Sequence, residues 1–458
     1  MELHPKGSSS DERRPLRHVV DVEDGAVGSG PSVEAIGWFG SFALVMNNIS
    51  GPGMLDFPRA FQQAGWVPCV ACIGTVSCVS AVIALYLADA HRALRSARPR
   101  SALEFSDVFG ELFGRPVFLA TQALYFLNLF SQNVAAIVAT AQATDTLLVV
   151  LVTRSVAVEF HWDGSWPSLL EWTGCARDGC TPFDHEGAPP GAFPSSVLTA
   201  GYALSAALLA PLGFMSLREN MSAQKLSFVL LVVLCVEFLL SFSSTLGEGV
   251  VVPVGDRAWD VLGVVIFNFA FCVTIPSWLN EKSAKVDERP VIWGACLAAA
   301  VAYVIFGWLG GRAFDTAPDN VLDALTCRHA SLFTRVCGGA FAFAIIGLGI
   351  PIFCVLMRYN LVSGGCNVAL ATLVAGALPW AASWLVYRGH GIVAVLSWSG
   401  LILNSIVDFM LPMCAALATM DTGGAKGKAI RAKALLLLVS AGVVAGLVLK
   451  ILSGDPVR

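Results

Sequence analysis

The feature that most constrains this chain is the recurrence of apolar blocks about 20 residues long, each able to cross a hydrocarbon core of about 30 Å as a helix. Eleven such blocks run over 36–61, 66–90, 116–151, 197–217, 224–244, 259–280, 291–312, 333–361, 364–386, 392–419 and 434–452. Charged residues are 14% of the 458, against about 25% in soluble domains, so water is not the main solvent. The pattern predicts an all-α polytopic integral membrane protein. Residues 1–35 are polar and Ser/Gly-rich; they read as a disordered cytosolic tail and carry no cleavable signal.

Lys and Arg in the connections set the orientation. With the N-terminus in the cytosol, nineteen fall on the inner side and nine on the outer. That places the C-terminus outside or in a lumen, in either a plasma membrane or a vacuolar/lysosomal one. A net charge of -4 implies no nucleic-acid partner. Nothing in the sequence sets the oligomeric state, and a monomer is compatible with it.

Nine of the 13 cysteines lie in apolar spans, while Cys175, Cys180, Cys327 and Cys337 fall on the outer side. An oxidising face could pair these four in any of three connectivities, or leave them as thiols. The lone C-x4-C of Cys175 and Cys180 lacks the second ligand pair that zinc needs, so no metal site is expected.

Two blocks contain helix breakers. The first holds NNISGPGMLDFP, Asn47 to Pro58, with Gly51, Pro52 and Gly53 at its middle. Pro52 removes a backbone donor, and the flanking glycines permit non-helical dihedrals. The sixth holds FNFAFCVTIPSWLNE, Phe267 to Glu281, where β-branched residues precede Pro276. Unwound backbone at membrane depth needs protein, water or a ligand to satisfy it. A half-helix N-terminus suits a carboxylate, and freed carbonyls suit a cation or an ammonium group. Breaks at segments one and six suggest two five-helix halves of inverted topology, 36–244 and 259–419, followed by an extra helix at 434–452. Together, 36–452 form one transporter domain, with a polar outer loop at 154–196.

Four stretches carry a resemblance: Asn47 to Trp66 (NNISGPGMLDFPRAFQQAGW), Ile275 to Glu281 (IPSWLNE), Gly349 to Leu361 (GIPIFCVLMRYNL) and Ser397 to Pro412 (SWSGLILNSIVDFMLP). In this order they resemble the amino acid/auxin permease family, related to the system A and system N amino-acid transporters. The resemblance implies eleven helices in a leucine-transporter-like five-plus-five fold. It also implies secondary transport of amino acids coupled to sodium or protons.

On that basis the substrate site is expected at Asn47, Ile49, Ser50, Gly51 and Gly53 of the first break and at Phe271, Cys272, Thr274 and Ile275 of the sixth. Asn47 matches the family's first-helix asparagine, which offers a side-chain oxygen to sodium or substrate. The sixth-segment side chains bring apolar shape, one hydroxyl and no charge, which favours a neutral amino acid. Sodium-coupled relatives place hydroxyl residues just before the proline equivalent to Pro351, whereas this chain has Gly347 and Gly349, and a hard cation loses ligands there. Proton coupling then needs a titratable group at depth. Asp408 is the first candidate and Glu237 the second, while Asp56 reads as a cap of the second half-helix and Glu281 as an inner-gate or solvated charge. No cofactor beyond H+ or Na+ is called for. The sequence shows neither the row of polar positions of a channel nor the nucleophile and base of an enzyme. A sodium-coupled transporter and a non-transporting amino-acid sensor of the same fold stay open.

Overall fold

The computed structural model describes residues 35–97, 102–161, 166–174, 182–183, 195–247, 249–258, 261–318, 321–326, 330–387, 402–422, 430, 432–437 and 439–442. Among these, eight helical segments are long and apolar enough to cross a membrane, from Trp66–Ser96 to Ile402–Met420. The chain is therefore an integral, multi-pass membrane protein built mainly of helices. The helices needed below are α1 (Trp38–Ile49), α2 (Phe57–Ala64), α3 (Trp66–Ala97), α4 (Phe105–Phe113), α5 (Arg115–Val152), α6 (Ala200–Leu209), α7 (Met221–Ser244), α8 (Val261–Asn268), α9 (Ile275–Glu281), α10 (Glu288–Ala313), α11 (Val321–Leu325), α12 (Leu332–Phe341), α13 (Ile350–Ser363), α14 (Val368–Gly376), α15 (Leu378–Leu385) and α16 (Leu411–Thr422).

The first apolar block is three pieces rather than one span. α1 stops at Ile49, Gly51 is extended, a 3-10 turn covers Pro52–Asp56, and α2 resumes with Pro58 in its first turn. Missing its N–H, a proline fits that first turn without cost. The block at 197–217 is likewise short, with α6 passing into a 3-10 turn at Ala210–Phe214. Of the block at 434–452, only residues as far as 442 are described, where Ala432–Gly442 forms a short apolar helix. Residues 1–34 and the first part of the Ser397 to Pro412 motif, 397–401, lie outside the described residues.

One feature departs from the all-α expectation. The connection between α5 and α6 carries a three-stranded antiparallel sheet in the order β2-β1-β3, from β1 (Ser155–His161), β2 (Ser168–Trp172) and β3 (Ser195–Thr199). The strand SVAVEFH alternates between its buried and open faces, the period-2 pattern of a half-buried strand. The connection after α3 carries the amphipathic helix α4, started by a reciprocal capping box between Glu104 and Asp107.

One carboxylate fixes the sheet to the helices. Asp145, fully buried near the end of α5, accepts hydrogen bonds from Ser155 Oγ (2.5 Å), Thr199 Oγ1 (2.5 Å), Tyr387 OH (2.6 Å) and Gly201 N (2.8 Å). A Cβ at position 201 would lie 2.6 Å from Asp145 Cγ, so the approach requires glycine.

The expected outer disulfides find no support. Cys337 is buried within α12 rather than in a loop, with a free thiol, because α12 already begins at Leu332 and carries position 337 in its second turn. Cys175, Cys180 and Cys327 lie outside the described residues.

Candidate functional site

The two breaks meet. The side chain of Asn268, the last residue of α8, packs on Gly53 so closely that a Cβ there would sit 2.5 Å from Asn268 Nδ2. Tyr303 of α10 spans both breaks. Its hydroxyl donates to Ile49 O at 2.6 Å and to Asn268 Oδ1 at 3.4 Å, while its ring stacks on Phe57 at 4.6 Å and meets Phe269 edge-on at 5.6 Å. Each such buried hydrogen bond contributes about 1 kcal/mol and removes an orphaned carbonyl.

Side chains of other segments take up several backbone groups of the sixth break. Ser80 Oγ donates to Phe269 O at 2.6 Å, Tyr125 OH to Val273 O at 3.1 Å, and Thr274 Oγ1 to Phe271 O at 2.8 Å. Asp408 takes the opposite polarity. Its Oδ1 accepts the backbone N–H of Val273 at 3.1 Å, the backbone of Cys272 also bonds the carboxyl, and Asn128 Nδ2 reaches Oδ2 at 3.4 Å. A carboxylate at the start of a half-helix complements its partial positive charge. Asp408 itself sits in a π-helical turn, Ser405–Met410, which swings its side chain toward the break.

Between the breaks lies a cavity of about 90 Å³. About 10–15 Å³ of such space holds one water-sized atom group, so the cavity matches a ligand of about six to nine heavy atoms. Its walls include Asn47, Ile49 and Gly51 of the first break, Phe267, Asn268 and Ala270 of the sixth, Gln132 of α5, Gln224 of α7, and Gly349 beside α13. Among the described residues, no charged side chain lines it. Asn47 Nδ2 donates to Gln224 O at 2.8 Å and to Gln224 Oε1 at 2.9 Å, and Gln224 Nε2 donates to Leu348 O at 2.8 Å. This relay fixes the amide of Asn47, leaving Oδ1 buried and without a hydrogen-bond partner among the described residues. A buried oxygen in that condition is worth an explanation, and a cationic ligand supplies one.

The residues expected at the site divide accordingly. Asn47, Ile49, Gly51 and Gly349 border the cavity. Ser50 and Gly53 belong to the break but not to the wall, and Gly53 serves the contact with Asn268. Phe271, Cys272, Thr274 and Ile275 are fully packed behind the break, and Phe267, Asn268 and Ala270 stand in the wall instead. Gly347 packs against Thr140 and Leu209. Asp408 lies behind the sixth break, and Glu237 faces α12, where Thr334 Oγ1 donates to it at 2.9 Å. Asp56 makes no side-chain cap of α2. Asn268, Gln224 and Tyr303 were missed; their signal was a lone polar or phenolic residue within an apolar span.

The site is thus a ligand-sized cavity between two unwound segments of a helical, multi-pass membrane protein. Residues 34–162, which include the whole first break, match the family of the transmembrane amino acid transporter protein. Over that stretch, somewhat more than a quarter of the chain, the sequence is similar to that family. The comparison with curated proteins returned no match. Among the described residues there is no group of three or more His, Cys, Asp or Glu side chains able to hold a metal ion.

Proposed function

We propose that the chain is a secondary active transporter of small neutral amino acids, working by alternating access with the proton as coupling ion. The observation that carries this reading is the uncharged cavity between the breaks, with the unpartnered Asn47 Oδ1 in its wall. The α-ammonium of an amino acid matches that oxygen. Its carboxylate matches the N-terminal end of the helical turn that begins at Pro52. An uncharged wall favours an uncharged side chain, and about 90 Å³ favours a small one.

For coupling, Asp408 binds backbone N–H groups of the sixth break. Protonating it removes the negative charge facing the start of α9 and weakens the bonds it accepts there, so proton binding and the position of that half-helix are linked. Sodium is the second reading, favoured by the same Asn47 oxygen together with the carbonyls near the first break. Proteoliposomes loaded at neutral pH should accumulate labelled alanine or serine when the outside is acidified. Accumulation that requires sodium and ignores the pH gradient would move the coupling to sodium, and no accumulation of any amino acid would overturn transport.

A further inference from the structure

α9, the inner half of the broken sixth segment, is held at its far end by a second carboxyl group. Glu104 lies in the connection between two spans, Trp66–Ser96 and Arg115–Val152, and is buried. Its Oε2 accepts from Ser277 Oγ at 2.5 Å and its Oε1 from Asn280 Nδ2 at 3.1 Å. Asn280 also exchanges bonds with the backbone of Leu103, at 2.9 and 3.3 Å. Through these contacts α9 is fastened to the α4 connection, while Ser106 Oγ of α4 donates to Asn360 Oδ1 of α13 at 2.8 Å.

We propose that Glu104 is a proton-binding latch on α9, whose protonation state sets how readily the inner half of the broken segment detaches.

Among the described residues, the groups facing Glu104 leave its charge without a cation. Asp107 on its own helix and Glu281 on α9 are both acidic and act on it by repulsion. From α3, His91 bonds Leu103 O at 3.1 Å and Arg95 spends its guanidinium on Leu279 O at 3.3 Å. From α5 comes the phenol of Tyr125. α13 meets this turn with the uncharged Asn360 and Ser363; its Arg358 and Tyr359 turn away to Phe214, Met215 and Leu217. On α16 the one titratable side chain described is Cys414. Burial without a cation disfavours the ionised form, and the hydrogen bond from Ser277 only partly offsets it, so the carboxyl is pushed up to about 7.

Once α9 swings away, water reaches the group and its pKa returns to about 4.3. The latched form therefore binds the proton more tightly. Its advantage is present at low pH and is lost as pH rises through about 7. Between pH 8 and pH 6 the ratio of latched to released α9 rises about tenfold.

The test needs no amino acid, so its outcome is independent of the transport reading. Hydrogen–deuterium exchange of the α9 amides, corrected for intrinsic rate, is followed in the full chain in lipid nanodiscs. Protection should rise about tenfold from pH 8 to pH 6. Glu104→Gln, neutral at every pH, should flatten the response at the protected level. Asp107→Asn should retain it. Ser277→Ala removes a donor that supports the ionised form and should move the midpoint to higher pH. Flat protection in the native chain would overturn the proposal, as would a response that survives in Glu104→Gln or is abolished in Asp107→Asn, or a midpoint unmoved by Ser277→Ala.

Discussion

Substituting Gly53 by alanine tests the contact between the two breaks with a single methyl group. The new Cβ would stand 2.5 Å from Asn268 Nδ2 and 3.0 Å from its Cγ and Oδ1, well inside the 3.4 Å where ordinary contact begins. Asn268 must move, and with it go the bond from its Nδ2 to Val264 O at 2.8 Å and the one it accepts from Tyr303. Overpacking of this kind costs about 1–3 kcal/mol, and an orphaned buried amide adds about 1 kcal/mol or more. The expected loss is about 2–4 kcal/mol, together with loss of uptake. Gly51→Ala is the control, because nothing lies within 4 Å of its Cβ position, and its stability should change by less than about 0.5 kcal/mol. Unfolding is followed by steric trapping in bicelles, with uptake measured on the same preparations. Removing the obstacle in Gly53→Ala/Asn268→Ala should leave the double variant less damaged than the sum of the two single ones, by about 0.5–3 kcal/mol. If Gly53→Ala is as stable and active as the native chain, or if the two substitutions simply add, the breaks do not depend on this contact.

Three other outcomes follow from named contacts. Asn47→Ala removes the unpartnered oxygen and both bonds to Gln224, and should raise the KM for amino acid about tenfold, or about 1.4 kcal/mol; a KM within twofold of native would take Asn47 out of the site. Asp408→Asn retains an acceptor for the break but cannot ionise, so uptake should lose its response to outer pH while substrate exchange persists; an unaltered pH profile would leave Asp408 a structural clasp. Asp145→Ala strands four donors from β1, β3, α6 and the end of α15, and should destabilise the chain by about 3 kcal/mol, measured by thermal inactivation; a change below 1 kcal/mol would show that the outer sheet is held by something else.

Much of this architecture was legible because the bilayer allows few alternatives. Blocks of about 20 apolar residues in a sparsely charged chain have to be spanning helices. The first break was legible for the same reason that it exists, since Gly51, Pro52 and Gly53 cannot continue a helix. The sixth break was placed too far along. Pro276 disfavours helix before it, yet in the structure it is an ordinary first-turn proline of α9, and the chain has already unwound beyond Asn268. No Gly or Pro marks that point. It is set by Ser80, Tyr125 and Asp408, which claim the backbone from other segments, so the cavity is lined by Phe267, Asn268 and Ala270 and not by the residues beside the proline. Local signals cannot report such tertiary partners. The sheet was a different kind of miss, because the alternation in SVAVEFH was visible but lay in a loop judged by its polarity.

The central claim is that the cavity between the broken segments holds the transported amino acid. Gly349 borders it, and nothing lies within 4 Å of where its Cβ would be, so Gly349→Leu is chosen to fill the space from a position where a side chain can start without a clash. Equilibrium binding of labelled alanine to purified native protein and to this variant, each confirmed folded by its thermal transition, tests the claim directly. Saturable binding by the native protein and none by Gly349→Leu is the predicted result. Equal binding by both would put the amino acid somewhere other than between the breaks.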